Sequence, residues 1–162
     1  MSDQLDVRII TPEKVVFRNH VGSVVLPGTL GMMEILPDHV AMFSTIKPGE
    51  VELKRDGKIV IFACGPGLVE VCANSVTILV DSAAGSEEID PKEAERMIAE
   101  AEDKLKNLSS EDEEQRFAFE TQLAAARARI EVYERISNEP EAAKGFTRIK
   151  MEPVGKAENK HD

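Results

Sequence analysis

Three histidines, two cysteines and thirty carboxylates are the side chains in this sequence that could hold a metal, move a proton or attack a substrate. His20, His39 and His161 show no metal-ligand spacing among themselves or with the cysteines. Cys64 and Cys72 are too few and wrongly spaced for a zinc knuckle or a CxxC redox pair, and both stand among apolar residues. They are expected to be buried structural thiols in a reducing compartment. No serine occupies a GxSxG elbow, and no GxxxxGK[ST] loop is present to cradle a phosphate. Gly28, Gly31, Gly65 and Gly67 read as turn glycines. His39, in Leu36-Pro37-Asp38-His39, is the one histidine in a suggestive setting, and it is expected to satisfy itself on a neighbouring backbone group. No catalytic centre is expected.

What remains is the segment from Pro27 to His39, which reads as a long loop carrying apolar residues where a loop is ordinarily polar. Met33 and Ile35 suit a core strand. Leu30 and Met32, close to the glycine turn, suit contact with another protein. The segment points to docking rather than catalysis.

The elements around it follow from period and punctuation. From Leu5 to Val80 short β-rich runs alternate with Gly, Pro, Asn and Asp, and seven strands are expected: 5–10, 15–17, 22–26, 51–55, 58–63, 68–72 and 75–80. Asp56-Gly57 is a two-residue hairpin turn, and a second turn falls at Ala73-Asn74. In the first hairpin Val51 and Leu53 alternate with Glu52 and Lys54, while Ile59 and Ile61 alternate with Lys58, Val60 and Phe62. One face is therefore core and the other only partly wet.

After Gly85 the period changes to three and four. Asp90, Pro91 and Glu93 form a helix start with the elements of a capping box, and an apolar stripe (Ala94, Met97, Ile98, Ala101, Leu105, Leu108) predicts a helix over 91–108. Ser110 and Glu113 repeat the capping pattern ahead of a second helix over 111–136, with Phe119, Leu123, Ala126, Ile130 and Tyr133, and Phe117 beside them, as its apolar residues. A turn of two or three residues makes the pair an antiparallel hairpin, marginal unless it packs on something. The fold class is an all-β sandwich followed by an α-helical antiparallel hairpin. Residues 1–86 form the sandwich, 87–138 the hairpin, and 139–162 an irregular or disordered tail.

Composition narrows the function. The chain has 162 residues, 42% hydrophobic and 31% charged, which excludes a large two-domain enzyme and suits a globular fold. The formal net charge of -10 excludes nucleic acid as a partner. Most of that charge belongs to 87–138, with 8 basic and 15 acidic side chains. No apolar run approaches the roughly 20 residues of a membrane helix, so direct insertion is not expected. The first residues, Met1 to Asp6, carry two acids and no basic region, so no secretory signal is expected.

Across about 135 residues the sequence resembles the epsilon subunit of F-type ATP synthases, called delta in mitochondria. The resemblance rests on an ordered set: Thr11-Pro12-Glu13 with Val16-Phe17, Val25-Leu26-Pro27-Gly28, Gly31, Leu36-Pro37-Asp38-His39, Ile46-Lys47-Pro48-Gly49, Gly67 to Val71 and Val76 to Asp81. It implies a ten-stranded sandwich with two helices and a non-catalytic role in the central stalk, coupling proton-driven rotation to ATP synthesis. The implied partners are the gamma subunit, the rotor c-ring and, when the hairpin extends to inhibit hydrolysis, the catalytic alpha/beta head. The implied location is peripheral, on the cytoplasmic face of a bacterial membrane. Gly28, Leu30, Gly31, Met32 and His39 fall on the rotor-contacting region, although Met32 and Glu34 replace an acidic residue and a glycine. Some members bind ATP through an Ile/Leu-Asp-x-x-Arg-Ala motif. Here the stretch is Ile89-Asp90-Pro91-Lys92-Glu93-Ala94, and a carboxylate at Glu93 repels phosphate. No cofactor is therefore expected; were ATP to bind, Asp90, Arg96 and Arg127 would be its contacts. Two other functions stand beside the stalk subunit: an ATP-sensing regulatory protein and a free-standing coiled-coil adaptor.

Overall fold

The computed structural model describes residues 3–138. The readings of His161, the first two residues and the tail over 139–162 lie outside them. Ten strands precede the helices: β1 (Leu5–Ile10), β2 (Val15–Val21), β3 (Ser23–Gly28), β4 (Gly31–Ile35), β5 (Met42–Ile46), β6 (Gly49–Arg55), β7 (Lys58–Cys64), β8 (Gly67–Cys72), β9 (Ser75–Val80) and β10 (Ala83–Gly85). They form one sheet in the order β10-β7-β6-β3-β5-β8-β9-β1-β2, with β4 on β3. β3 and β5 share a single pairing, Gly28 with Ile46, and the sheet folds over there into two layers. At the other side the chain crosses between layers at Gly22, whose N–H donates to the Lys54 carbonyl at 2.7 Å. Arg55 clasps this corner by donating to Asn19 Oδ1 at 3.0 Å.

Alternation fills the space between the layers. Leu5, Val7 and Ile9 from β1 meet Phe17, Val24, Leu26, Val51, Leu53 and Ile78, all essentially without solvent contact. Phe17 and Phe62 meet edge to face, with ring centroids 5.7 Å apart. The two-residue turns form as expected: Asp56 and Gly57 have φ of 50° and 73°, and Ala73 and Asn74 have 48° and 62°.

The helices are α1 (Pro91–Lys106) and α2 (Glu113–Asn138). Asp90 Oδ1 accepts from the N–H groups of Lys92 at 3.0 Å and Glu93 at 3.4 Å, so it is the cap of α1. The cap of α2 is Asp112, which accepts from Gln115 N–H at 3.1 Å, rather than Ser110. The connection runs from Asn107 to Asp112, longer than the two or three residues expected.

Several expectations change. There are ten strands, as the resemblance implies, not the seven read from punctuation; β4, β5 and β10 are additional, and most of the supposed long loop is a β3–β4 hairpin. In β7 it is Val60, Phe62 and Cys64 that face the sandwich core. Ile61 and Ala63, with Ile59 packed against them, form a second cluster on the outer face with Ala84, Ile89, Ala128 and Val132. β7 is buried on both sides because α2 lies across it. Cys64 is buried as expected, and burial, helped by the Asp81 charge, pushes its thiol up to about 12. Cys72 is exposed, since it shares the outward face of β8 with Glu70. Phe117 is also exposed, and Glu93 spends both carboxylate oxygens on Arg96 instead of closing a capping box.

Candidate docking site

The β3–β4 hairpin brings four of the five candidate contact residues to one tip. Gly28 and Gly31 face each other across it, and Thr29 and Leu30 form the turn. Gly31 has φ of 136°, a conformation that L side chains rarely adopt. A Cβ on Gly28 would come within 2.9 Å of the Gly31 carbonyl oxygen and of the Met33 side chain. The glycines thus let the turn close tightly, and Leu30 is thrown outward. Its side chain is fully exposed, at 104% of reference, and that of Met32 is 64% exposed. A shallow cavity of about 390 Å³ lies between them and β5, walled by Thr29, Met33, Ser44 and Thr45. The tip offers apolar surface held by backbone, with no titratable group in that wall.

His39 is not part of this tip. It lies beyond the opposite end of β4, where its Nδ1 is 2.7 Å from the Val40 carbonyl oxygen, as expected of a self-satisfied loop histidine. Asp38, at φ 66°, fixes the loop: its N–H donates to Asn74 Oδ1 at 2.6 Å, and Asn74 Nδ2 donates back to its carboxylate at 3.2 Å. Sequence reasoning gave Asp38 no role of its own: Asp tolerates the left-handed conformation of a turn, but its partner Asn74 is 36 residues away and carries no local signal.

The nucleotide candidates do not converge. Asp90 is occupied as a cap, and Arg96 is held by Glu93 and Glu100 on its own helix. The Arg96 hydrogen bond holds the Glu93 carboxyl below its ordinary range. Arg127 donates to Glu102 at 3.2 Å. From Asp90 to Glu102 is about 18 Å along the helix at 1.5 Å per residue. The cavity between hairpin and sandwich, about 270 Å³, is lined instead by Asp81, Glu100, Lys104 and Arg129 among others, a balanced set of charges. Among the described residues no group of His, Cys, Asp or Glu could hold a metal ion.

The hairpin is held to the body by α2. Besides the outer cluster on β7, Arg135 Nη1 donates to Glu50 Oε2 at 2.9 Å and to Glu52 Oε2 at 3.2 Å. Burial pulls the Arg135 pKa down, but the hydrogen bonds and charges of the two glutamates carry it above its ordinary value. On the opposite layer, among the described residues, no helix packs on the outer face of β5, β8, β9 and β1, and Phe43 and Leu79 stand exposed there.

Fold and site together define a class: a β-sandwich with a docked helical hairpin and exposed apolar side chains at the β3–β4 tip. Residues 4–86 match the model of the ATP synthase delta/epsilon chain β-sandwich domain. The ATP synthase epsilon chain of Geotalea daltonii is 36% identical over 132 residues, spanning 82% of this chain and 95% of that one. That of Synechococcus elongatus is 32% identical over 127 residues, 78% of this chain and 93% of the relative. The chain belongs to the ATP synthase delta/epsilon family. In structure it is similar to a chain of the Euglena gracilis mitochondrial ATP synthase (OSCP/F1/c-ring), with a TM-score of 0.66 and 22% identity over 79% of this chain and 80% of that chain. That likeness carries the fold.

Proposed function

We propose that this chain is a non-catalytic central-stalk subunit of an F-type ATP synthase, coupling rotation of the rotor to ATP synthesis. The observation that supports this best, beside family membership, is the β3–β4 tip, where Leu30 stands wholly in solvent on a turn closed by two glycines. Covering one such side chain contributes about 1.5–3 kcal/mol, so the tip is suited to contact with the rotor c-ring. The uncovered outer face around Phe43 and Leu79 is suited to the gamma subunit. No helix among the described residues is long and apolar enough to cross a membrane. In this reading attachment is through the other subunits, peripheral on the cytoplasmic face of a bacterial membrane.

The sandwich is the coupling unit and the hairpin the regulatory one. The buried residues of the main core cluster lie within 5–80, while the hairpin is joined to the sandwich by the outer cluster and the Arg135 bonds to Glu50 and Glu52. Extension of α1 and α2 toward the catalytic alpha/beta head would release one face of β7 and leave the main core intact. The test is reconstitution of the complex with the full chain, with Leu30→Asp and with a chain ended at residue 86. The full chain is expected to assemble with gamma and the c-ring, Leu30→Asp to couple poorly, and the truncated chain to assemble but hydrolyse ATP faster. Full coupling by Leu30→Asp would refute the tip assignment. Failure of the full chain to assemble would refute the stalk reading.

A further inference from the structure

Register places two arginines directly opposite one another on the uncovered layer. Arg8 of β1 pairs with Arg18 of β2, and both side chains lie on the outer face, since Val7, Ile9, Phe17 and Asn19 point inward. Like charges opposite each other across an antiparallel pair are destabilising. Among the described residues no ion pair offsets this one: Asp6, two residues from Arg8 on the same face of β1 and about 7 Å away along the strand, forms none with either arginine. Neither arginine side chain has a hydrogen bond or ion pair among the described residues, and Arg8 Nε is buried with no acceptor. The next residues along the same cross-strand row are Thr77 and then Glu70. At about 4.8 Å per strand, Glu70 sits roughly 10 Å from Arg8 at the backbone.

The surplus is notable in a chain with 30 acidic and 20 basic side chains, where other arginines have found carboxylates. Arg96, Arg127 and Arg135 are all paired. A buried guanidinium N–H without an acceptor carries a desolvation cost that a carboxylate from outside would remove, and a carboxylate between the two arginines would also offset their repulsion. The row continues through Thr77 and Glu70 to Phe43, so the charge pair and the exposed apolar residue belong to one surface.

We infer that Arg8 and Arg18 together are the acid-recognition point of this face, taking a carboxylate of the gamma subunit between them. This rests on the stalk reading for the identity of the partner. The apolar end around Phe43 supplies burial, while the arginine pair sets register and excludes partners with a basic residue there.

The test uses the full chain and the purified gamma subunit from the same source, with the dissociation constant measured by calorimetry and the Tm of each variant measured alone. Arg8→Gln and Arg18→Gln keep the side-chain stem and remove the charge. Each is expected to weaken gamma binding about ten- to hundred-fold, the range for a hydrogen bond to a charged group. Arg8→Glu should weaken it further, and Lys58→Gln, at the hairpin tip of the other layer, should leave it unchanged. The Tm of Arg8→Gln should hold or rise, because the cross-strand repulsion is relieved. A purely structural arginine would behave in the opposite way, with lowered Tm and unaltered binding, and that result overturns the inference. Gamma binding by the unaltered chain that ignores both Gln substitutions overturns it alone, leaving the stalk reading in place. No binding by the unaltered chain overturns both. If ending the chain at Asn138 lowers the Tm of the unaltered protein but not of Arg8→Gln, residues 139–162 occupy the pair, and the inference fails.

Discussion

Replacing Arg135 by Gln tests how the hairpin is held. The guanidinium is 33% exposed, and its partners Glu50 and Glu52 are 24% and 14% exposed, so the triad lies between a surface ion pair and a buried one. Surface pairs contribute about 0–1 kcal/mol, and breaking a fully buried pair costs about 3–5 kcal/mol. Discounting for the exposed third, the loss comes to about 2 kcal/mol. Part of it arises because Glu50 and Glu52 are left side by side, with Lys54, 3.5 Å from Glu52, the one other cation paired with them among the described residues. That corresponds to about a thirty-fold rise in the population with α2 undocked. Hydrogen exchange read by mass spectrometry is the assay, because α2 amides that depend on the body for protection exchange through this opening. Peptides covering Ala126 to Asn138 should lose protection, and the sandwich core around Leu53 and Ile78 should not. Equal loss in both regions, or none in either, would refute the view that these contacts dock the hairpin as a unit separate from the main core.

Three further outcomes follow from buried geometry. In the native protein a thiol reagent should modify Cys72 quickly and leave Cys64 untouched until unfolding. The Cys64 thiol is raised to about 12 when folded and ionises near 9 when unfolded, so its contribution to stability is complete below pH 9. It is lost as pH rises from there through 12, because the unfolded state then binds fewer protons, and urea midpoints across pH 8 to 11 should fall accordingly beyond the trend of a Cys64→Ala control. Gly67→Ala should destabilise by about 1–3 kcal/mol, the range for forced overpacking, since its Cβ would collide with the Leu79 carbonyl. An unchanged denaturation midpoint would show that β8 and β9 can part at no cost.

Much of this architecture was legible because local chemistry and tertiary structure agree. Asp56-Gly57 demanded a tight turn, and Asp90-Pro91 demanded a helix start, whatever packed against them. β4 and β5 were missed because they are short and carry apolar residues on their outward faces, Met32 and Phe43, which hides the alternation. The face of β7 could not be read from Lys58 to Cys64 alone, since both faces are apolar and only the placement of α2 explains why. Cys72 was readable: it lies two residues from Glu70, hence on the wet side of β8. At the tip, the glycine turn marked Leu30 and Met32 as candidates for a protein contact, and both side chains are exposed. The role of Arg135 left no trace, because its partners are 83 and 85 residues away. The opposition of Arg8 and Arg18 is likewise visible only once the register of β1 and β2 is known.

The parallel pairing of β1 with β9 sets an order of assembly. Val7 lies beside Val76, so the first strand finds one of its two neighbours only after nearly the whole sandwich has been made. The β1–β2 hairpin can form early from local contacts, but its seat closes a loop of about seventy residues, an entropic cost that must be met before the contacts reward it. During synthesis β1 therefore presents an open, hydrophobic edge until β9 emerges. The β8–β9 hairpin is the keystone of the body, and the helices that follow it reach a surface already complete.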